Sequence, residues 1–216
     1  MVIFHGTGRR LGTEKLCYHS SVLVEYNATA YMNNSLFEKY ITNYLIPTLG
    51  GHPTLFTLDL MRSHKTPTVF QLLRTNNITP SLIPTGCTSL VQPLDVLVNK
   101  PFKELMRDLT DEKIFKLESV EDFEKWTVGD CGVMTTHCVG EAFNQFHSLK
   151  AHVIKTSFHK LGLSLPIDGS LDHELDIKGF TNLGIGNWRE DLVSLDDRAD
   201  VPEEGDDNVA FIETED

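Results

Sequence analysis

Thr54-Leu-Phe-Thr-Leu-Asp59-Leu-Met-Arg-Ser-His64-Lys-Thr66-Pro67 decides the fold of this chain. Its first five residues are mostly apolar and of strand length, which reads as a buried strand. An acid closes that strand. Thr66-Pro67 then carries the signature of a helix start, a hydroxyl for the N-cap and a proline at the first helical position. The helix is expected to end at Asn76-Asn77, and Ser81–Ile83, fenced by Pro80 and Pro84, reads as the next short strand. Strand, helix, strand in this order implies an α/β fold with at least one parallel pair, because a crossover helix returns the chain to the same end of the sheet.

Upstream, Val2–Phe4 and Ser21–Tyr26 read as two more strands. Gly6-Thr-Gly8-Arg-Arg-Leu-Gly12 lies between them. No strand–loop–helix unit of dinucleotide spacing surrounds these glycines, so the segment reads as a turn. Ser35–Ile46 is expected to be a helix. Ser35-x-x-Glu38 has the form of a capping box, and Leu36, Phe37, Tyr40, Ile41, Tyr44 and Leu45 make one apolar stripe. Pro47 and Gly50-Gly51 are expected to stop it. Downstream, a helix is expected from about Asp95 to Leu109, with Leu94, Val98, Phe102, Leu105 and Leu109 on one face and a kink at Pro101. Two amphipathic helices follow near Met134–Phe146 and Leu149–Leu161, the second closed by Gly162.

The chain has 216 residues, 40% of them hydrophobic, enough for one domain with a tail. Its apolar runs are far too short to span a bilayer, so no membrane partner is expected. The start shows no basic segment followed by a long apolar run, and no signal peptide is read there. The four cysteines, Cys17, Cys87, Cys131 and Cys138, form no Cys-x-x-Cys pair and read as reduced thiols. The net charge of −12 is unevenly spread. Residues 1–110 hold 10 Lys/Arg against 7 Asp/Glu, and residues 111–216 hold 9 against 24. The acidity of the second half therefore does not argue against an anionic partner for the first. From Glu190 onward there are 12 acids and one base, Arg198, which reads as a disordered acidic tail over 190–216.

Two acids stand out. Asp59 closes a buried strand, and the carboxyl ends of parallel strands are where α/β sheets present functional groups. It is either a turn residue or a ligand held by a rigid element. Asp95 opens a helix 36 positions later, and it is either an N-cap or a ligand. Two such carboxylates brought together repel unless cations lie between them, and hard oxygen donors select Mg²⁺ or Mn²⁺.

Three segments give this constellation a likeness. They are Leu58-Asp59-Leu-Met-Arg-Ser-His64-Lys-Thr, Ile83-Pro84-Thr-Gly86-Cys-Thr88-Ser89-Leu90-Val-Gln92-Pro93-Leu94-Asp95-Val96 and Asn99-Lys100-Pro101-Phe102-Lys103. Together they resemble the catalytic domain of pogo/Tigger-type DNA transposases, a DDE endonuclease family, over about residues 1–180. The resemblance implies a ribonuclease-H-like (DDE/integrase-type) α/β fold followed by C-terminal helices. It implies three acids holding two divalent cations, Mg²⁺ or Mn²⁺, for cleavage and strand transfer of a DNA phosphodiester. By motif position Asp59 is the second acid and Asp95 the third, and their carboxylates are expected within about 8 Å of each other.

The first acid belongs on a strand that the family places before the segment matched by Val2-Ile-Phe. The core, 1–110, is therefore expected to lack its first strand and to be incomplete at its N-terminus. Residues 111–189 are read as the C-terminal helical part of the same domain. The expected partners are DNA and a protein or chain that supplies the missing part. A nuclear location follows from the DNA substrate. His64 and Asn99 are candidate supports for the two acids, and His64 reads equally as a turn histidine or as a residue that orients a metal-bound water. Lys65, Lys100 and Lys103 are the leading candidates for contacts to DNA phosphates, ahead of Arg9, Arg10, Arg74 and Arg107. Trp126 and Trp188 read as packing residues before base-stacking ones. Two functions remain open: a metal-dependent DNA-cutting and strand-joining enzyme, or a catalytically inactive, transposase-derived nuclear module that binds DNA or proteins.

Overall fold

The computed structural model describes residues 1–117 and 119–181. The β–α–β unit forms around Asp59 as the sequence requires. Strands β1 (Val2–His5), β2 (Val24–Asn27), β3 (Thr54–Leu58) and β4 (Ile78–Leu82) make two parallel pairs, β1 with β2 and β3 with β4. In the second pair Thr54 faces Ile78 and Leu58 faces Leu82. The Leu58 carbonyl accepts from the Ile83 N–H at 2.8 Å, which carries the ladder to the end of β3. The strand β4 begins at Ile78, three residues before the expected Ser81, and Pro80 lies inside it. A proline donates nothing to a ladder, so it fits a strand only where its nitrogen faces away from the neighbour.

Helices α1 (Asn34–Tyr40), α2 (Ile46–Leu49) and α3 (Pro67–Thr75) cover this pair. The start of α3 is as expected: the Thr66 hydroxyl accepts from the Val69 N–H at 3.2 Å, and Pro67 follows. Asn77 then turns the chain into β4 at φ +60°. Phe37, Ile41, Leu58, Val69, Leu73 and Ile78 are buried together and form the main core.

Two expectations about the first helix are corrected. Its N-cap is Asn33, whose side chain accepts from the Leu36 N–H at 3.0 Å, so Ser35 lies inside the helix and does not cap it. Asn and Ser are about equally good caps, and the residue with extended backbone geometry takes the role. Pro47 also fails to stop the helix. The chain widens into a π turn over Ile41–Leu45, where the Ile46 N–H reaches the Ile41 carbonyl, and continues as α2 until Gly50 ends it at φ +60°. A proline removes one i→i−4 bond and crowds the carbonyl behind it, and a wider turn relieves both.

The same device recurs ahead of Pro101. After α4 (Thr88–Val91), a π turn over Leu94–Val98 leads into α5 (Asn99–Phe115), and the Asn99 N–H bonds the Leu94 carbonyl. The turn shifts the helical register, and Leu94 is 50% exposed instead of sharing the buried face expected for it. Leu109 stays buried, and Phe102, Leu105 and Met106 pack with it against Cys138 and Ala142.

Those last two residues belong to α7 (Val128–Lys160), which follows the short α6 (Val120–Glu124). The two helices expected near Met134–Phe146 and Leu149–Leu161 are both present within this span and meet end to end at a break in helical geometry at Lys150. It starts at Val128, six residues before the expected Met134, because Thr127 and Asp130 form a reciprocal capping box. Gly162 closes it at φ +80°, as expected. The acidic stretch 190–216 and Trp188 lie outside the described residues.

The N-terminal pair β1/β2 is tied to α7 through the segment after the glycine loop. Gly132, Thr136 and Gly140 are buried at four-residue spacing on α7. The Thr136 hydroxyl accepts from the His19 N–H at 3.1 Å. A Cβ on Gly140 would overlap the His19 imidazole, whose Nδ1, Cε1 and Cγ are its nearest neighbours. Gly140→Ala is therefore expected to destabilise the fold. Relief of the helix-propensity penalty favours alanine by about 1 kcal/mol, and overpacking against the ring costs about 1–3 kcal/mol. A urea midpoint equal to or above that of the parent would show that His19 moves aside without cost.

Candidate active site

Asp59 stands one residue beyond the carboxyl end of β3, so the strand fixes its backbone. A tight turn fixes its side chain. The Asp59 Oδ1 accepts from the Met61 N–H at 3.1 Å and from His64 Nδ1 at 2.6 Å. His64 ends a 3-10 turn over Arg62–His64, and its ring packs on Phe37 with centroids 4.3 Å apart. The main core thus holds the imidazole, and the imidazole holds the carboxylate. An acceptor carboxylate at Nδ1 puts the ring proton on that nitrogen. The Asp59 side chain remains 34% exposed against 16% for His64, so the acid faces outward from its support. Oδ2 takes no hydrogen bond among the described residues.

Asp95 lies in the π turn ahead of α5 and is exposed. Asn99, one turn on, donates its side-chain N–H to Asp95 Oδ1 at 2.8 Å. The structure therefore brings together two of the expected pairs, Asp59 with His64 and Asp95 with Asn99. The helix-capping alternative for Asp95 does not hold: Pro93 precedes the π turn, and Asp95 lies within it, without a cap bond from its side chain. Wide π turns recur at functional sites because they displace a side chain from the regular helical face.

Each loop also carries a buried oxygen that has no hydrogen-bond partner, Ser63 Oγ beside His64 and Gln92 Oε1 three residues before Asp95. Sequence reasoning gave these two residues no role, because an orphaned acceptor shows itself only once burial is known. Buried polar atoms left unpaired in a native fold call for a water, an ion or a functional reason. Two carboxylates with outward oxygens are the hard donors a divalent cation of the Mg²⁺ class takes. Among the described residues no group of three His, Cys, Asp or Glu side chains stands close enough to share a metal.

Lys65, Lys100 and Lys103 are exposed. None of them has a carboxylate partner among the described residues, whereas Lys113 of α5 and Lys116 just beyond it pair with Glu141 and Glu112. Arg74 lies over the Phe70 ring, 5.8 Å from its centroid, and is engaged within α3. Trp126 packs on Phe123 with centroids 5.3 Å apart, the packing role expected for it. Glu25 pairs with Lys39 at 2.5 Å, and Glu14 accepts from the Tyr18 hydroxyl, so both of these acids are engaged away from Asp59 and Asp95. The four cysteines are free. No helix among the described residues is long and apolar enough to cross a membrane.

Comparison with known proteins identifies the family. A family model described as DDE superfamily endonuclease matches residues 1–157. A human protein, "Pogo transposable element with ZNF domain", is 26% identical over 101 residues, which covers 42% of this chain and 7% of that protein. The match thus spans a small part of the relative's length. No solved structure matches.

Proposed function

The chain belongs to the DDE superfamily endonuclease family, and we propose that it is a pogo-type, transposase-derived catalytic domain acting on DNA, with Asp59 and Asp95 as two of its metal-binding acids. The observation that carries this reading is the Asp59–His64 pair at the end of β3, seated on the Phe37 ring. A strand end, a core-anchored imidazole and an outward carboxylate oxygen make a preorganised ligand. The family implies a ribonuclease-H-like fold, and the parallel β3/β4 pair with its crossover helix α3 is the part of that arrangement around Asp59.

In this reading Asp59 and Asp95 hold Mg²⁺ or Mn²⁺ through oxygens that their supports leave open. Bound cations of this kind activate water or a DNA 3′-hydroxyl and neutralise charge on the scissile phosphate. The chain's own residues orient and bind. His64 holds Asp59 Oδ1 so that Oδ2 points outward, and Asn99 does the same for Asp95. Lys100 and Lys103 lie one and two turns beyond Asp95 on α5, and Lys65 follows His64, so each acid has cations beside it for the DNA backbone. A nuclear location goes with the DNA substrate.

Manganese titration followed by electron paramagnetic resonance tests the site without requiring turnover. The intact chain is expected to hold Mn²⁺ weakly, with a Kd on the order of 10⁻⁴–10⁻³ M as in carboxylate-poor sites. Asp59→Ala and Asp95→Ala are each expected to abolish that binding. His64→Ala should weaken it roughly 10–100-fold, as loss of a ligand's outer support does. Binding that survives both alanine substitutions would remove these two acids from the metal site.

A further inference from the structure

A cleft of about 580 Å³ opens between the Gly6–Leu11 loop and the first turns of α7. Its lining includes neither Asp59 nor Asp95. Phe4 and Tyr26 form an aromatic floor, their centroids 5.8 Å apart and their planes tilted by 42°. Arg9 and Arg10 line it from the loop. Both are exposed, and neither has a carboxylate within ion-pair distance among the described residues.

The loop is a turn, as its sequence implies, and the turn builds the wall. Gly8 has φ +62°, and a Cβ there would stand 2.7 Å from the Tyr26 ring. Glycine lets the backbone lie against the aromatic floor and keeps the cleft open above it. Glu14 sits at the opposite side. A Cβ on Gly129, in the first turn of α7, would stand 2.7 Å from Glu14 Oε2, so this carboxylate already faces the positive end of the helix. Its other oxygen accepts from Tyr18, whose hydroxyl burial and the neighbouring Glu14 and Tyr26 keep protonated well beyond the usual tyrosine range. The positive charge left free for an anion at this cleft is therefore that of the two arginines.

The volume falls in the range, roughly 300–1,000 Å³, of clefts that hold small ligands. Inorganic phosphate would engage the guanidinium groups and leave the aromatic floor bare. A flat uncharged ligand would do the reverse. We propose that the cleft binds a single nucleotide, its base packed against the tilted Phe4 and Tyr26 rings and its phosphate held by Arg9 and Arg10. Flat bases stack on aromatic side chains without regard to sequence, and Arg forks match phosphate oxygens. The nucleotide is either free or one unit of a single strand, and the chemistry of recognition is the same.

Isothermal titration of the full chain, without divalent metal, tests this independently of the endonuclease reading. The ligands are deoxyadenosine monophosphate, deoxyadenosine, inorganic phosphate and a five-nucleotide single strand. The monophosphate is expected to bind at least tenfold more tightly than either the nucleoside or phosphate. The exposed double substitution Arg9→Gln/Arg10→Gln is expected to reduce its affinity to that of the nucleoside, with unchanged circular dichroism. Equal affinity for the five-nucleotide strand and the monophosphate points to a free nucleotide, and tighter binding of the strand points to a strand unit. The proposal is overturned if the monophosphate fails to bind, if phosphate alone binds as well, or if the arginine substitutions leave its affinity unchanged.

Discussion

Leu73→Ala is expected to lower the folding free energy by about 2–5 kcal/mol, the cost of deleting a large buried side chain and leaving a cavity. Leu73 is fully buried on α3 and belongs to the cluster that joins Phe37 and Ile41 of the first helical stretch to Leu58 of β3 and Ile78 of β4. The hydrophobic faces of these elements meet there. Domains of this size are stable by about 5–15 kcal/mol, so the loss is a large fraction of the total. It also reaches the candidate site. Phe37 lies in the same cluster and carries the His64 ring, and His64 holds Asp59. The substitution is therefore expected to loosen Mn²⁺ binding before the protein unfolds. Leu55→Ala is the control. Leu55 is on β3 but 56% exposed, and a change there should stay within about 0.5 kcal/mol. Urea denaturation of both variants measures the difference. Equal midpoints would mean that the Phe37–Leu73 cluster does not support the fold.

The sequence makes some of this legible and hides the rest for identifiable reasons. The start of α3 can be read because a Thr cap and a following proline act locally, within four residues. The same holds for the two supports of the acids. Asn99 reaches Asp95 because one helical turn separates them, and His64 reaches Asp59 because a tight turn closes over five residues. Choosing between Asn33 and Ser35 as a cap is harder, since both residue types suit the role and backbone geometry at the junction decides. The π turns ahead of Pro47 and Pro101 are hidden for a different reason. A proline in a helical pattern has two outcomes, a stop or a widened turn, and packing selects between them. Here Leu45 and Leu49 pack on the main core on either side of Pro47, and Phe102, Leu105 and Leu109 pack on α7 beyond Pro101, so the helix continues. The nucleotide cleft is least legible, because it joins a loop at residues 6–11 to a helix that begins at Val128. No local pattern encodes a contact over that separation.

Purified alone, the 216-residue chain is expected to leave supercoiled plasmid intact in Mg²⁺ or Mn²⁺. The reason is charge. In the proposed site two divalent cations would bring four positive charges, and Asp59 and Asp95 would supply two negative ones. The resemblance implies three acids, and among the described residues no three His, Cys, Asp or Glu side chains stand close enough to share a metal. Glu14 and Glu25 are engaged elsewhere, Glu14 with Tyr18 and Glu25 with Lys39. With two carboxylates in place of three, the proposed site would hold one metal weakly and leave the second without a complete set of donors. The in-line geometry that accounts for most of the rate depends on both. Loss of a single preorganised electrostatic contributor costs on the order of 10²–10³ in rate, and loss of a metal costs more. A plasmid-nicking assay with Asp59→Ala and Asp95→Ala controls makes the measurement. Metal-dependent nicking that both substitutions abolish would show that two acids suffice. Weak Mn²⁺ binding that both substitutions remove, together with intact plasmid, would instead show a site that is positioned by β3 and the π turn but too weakly charged to drive the reaction.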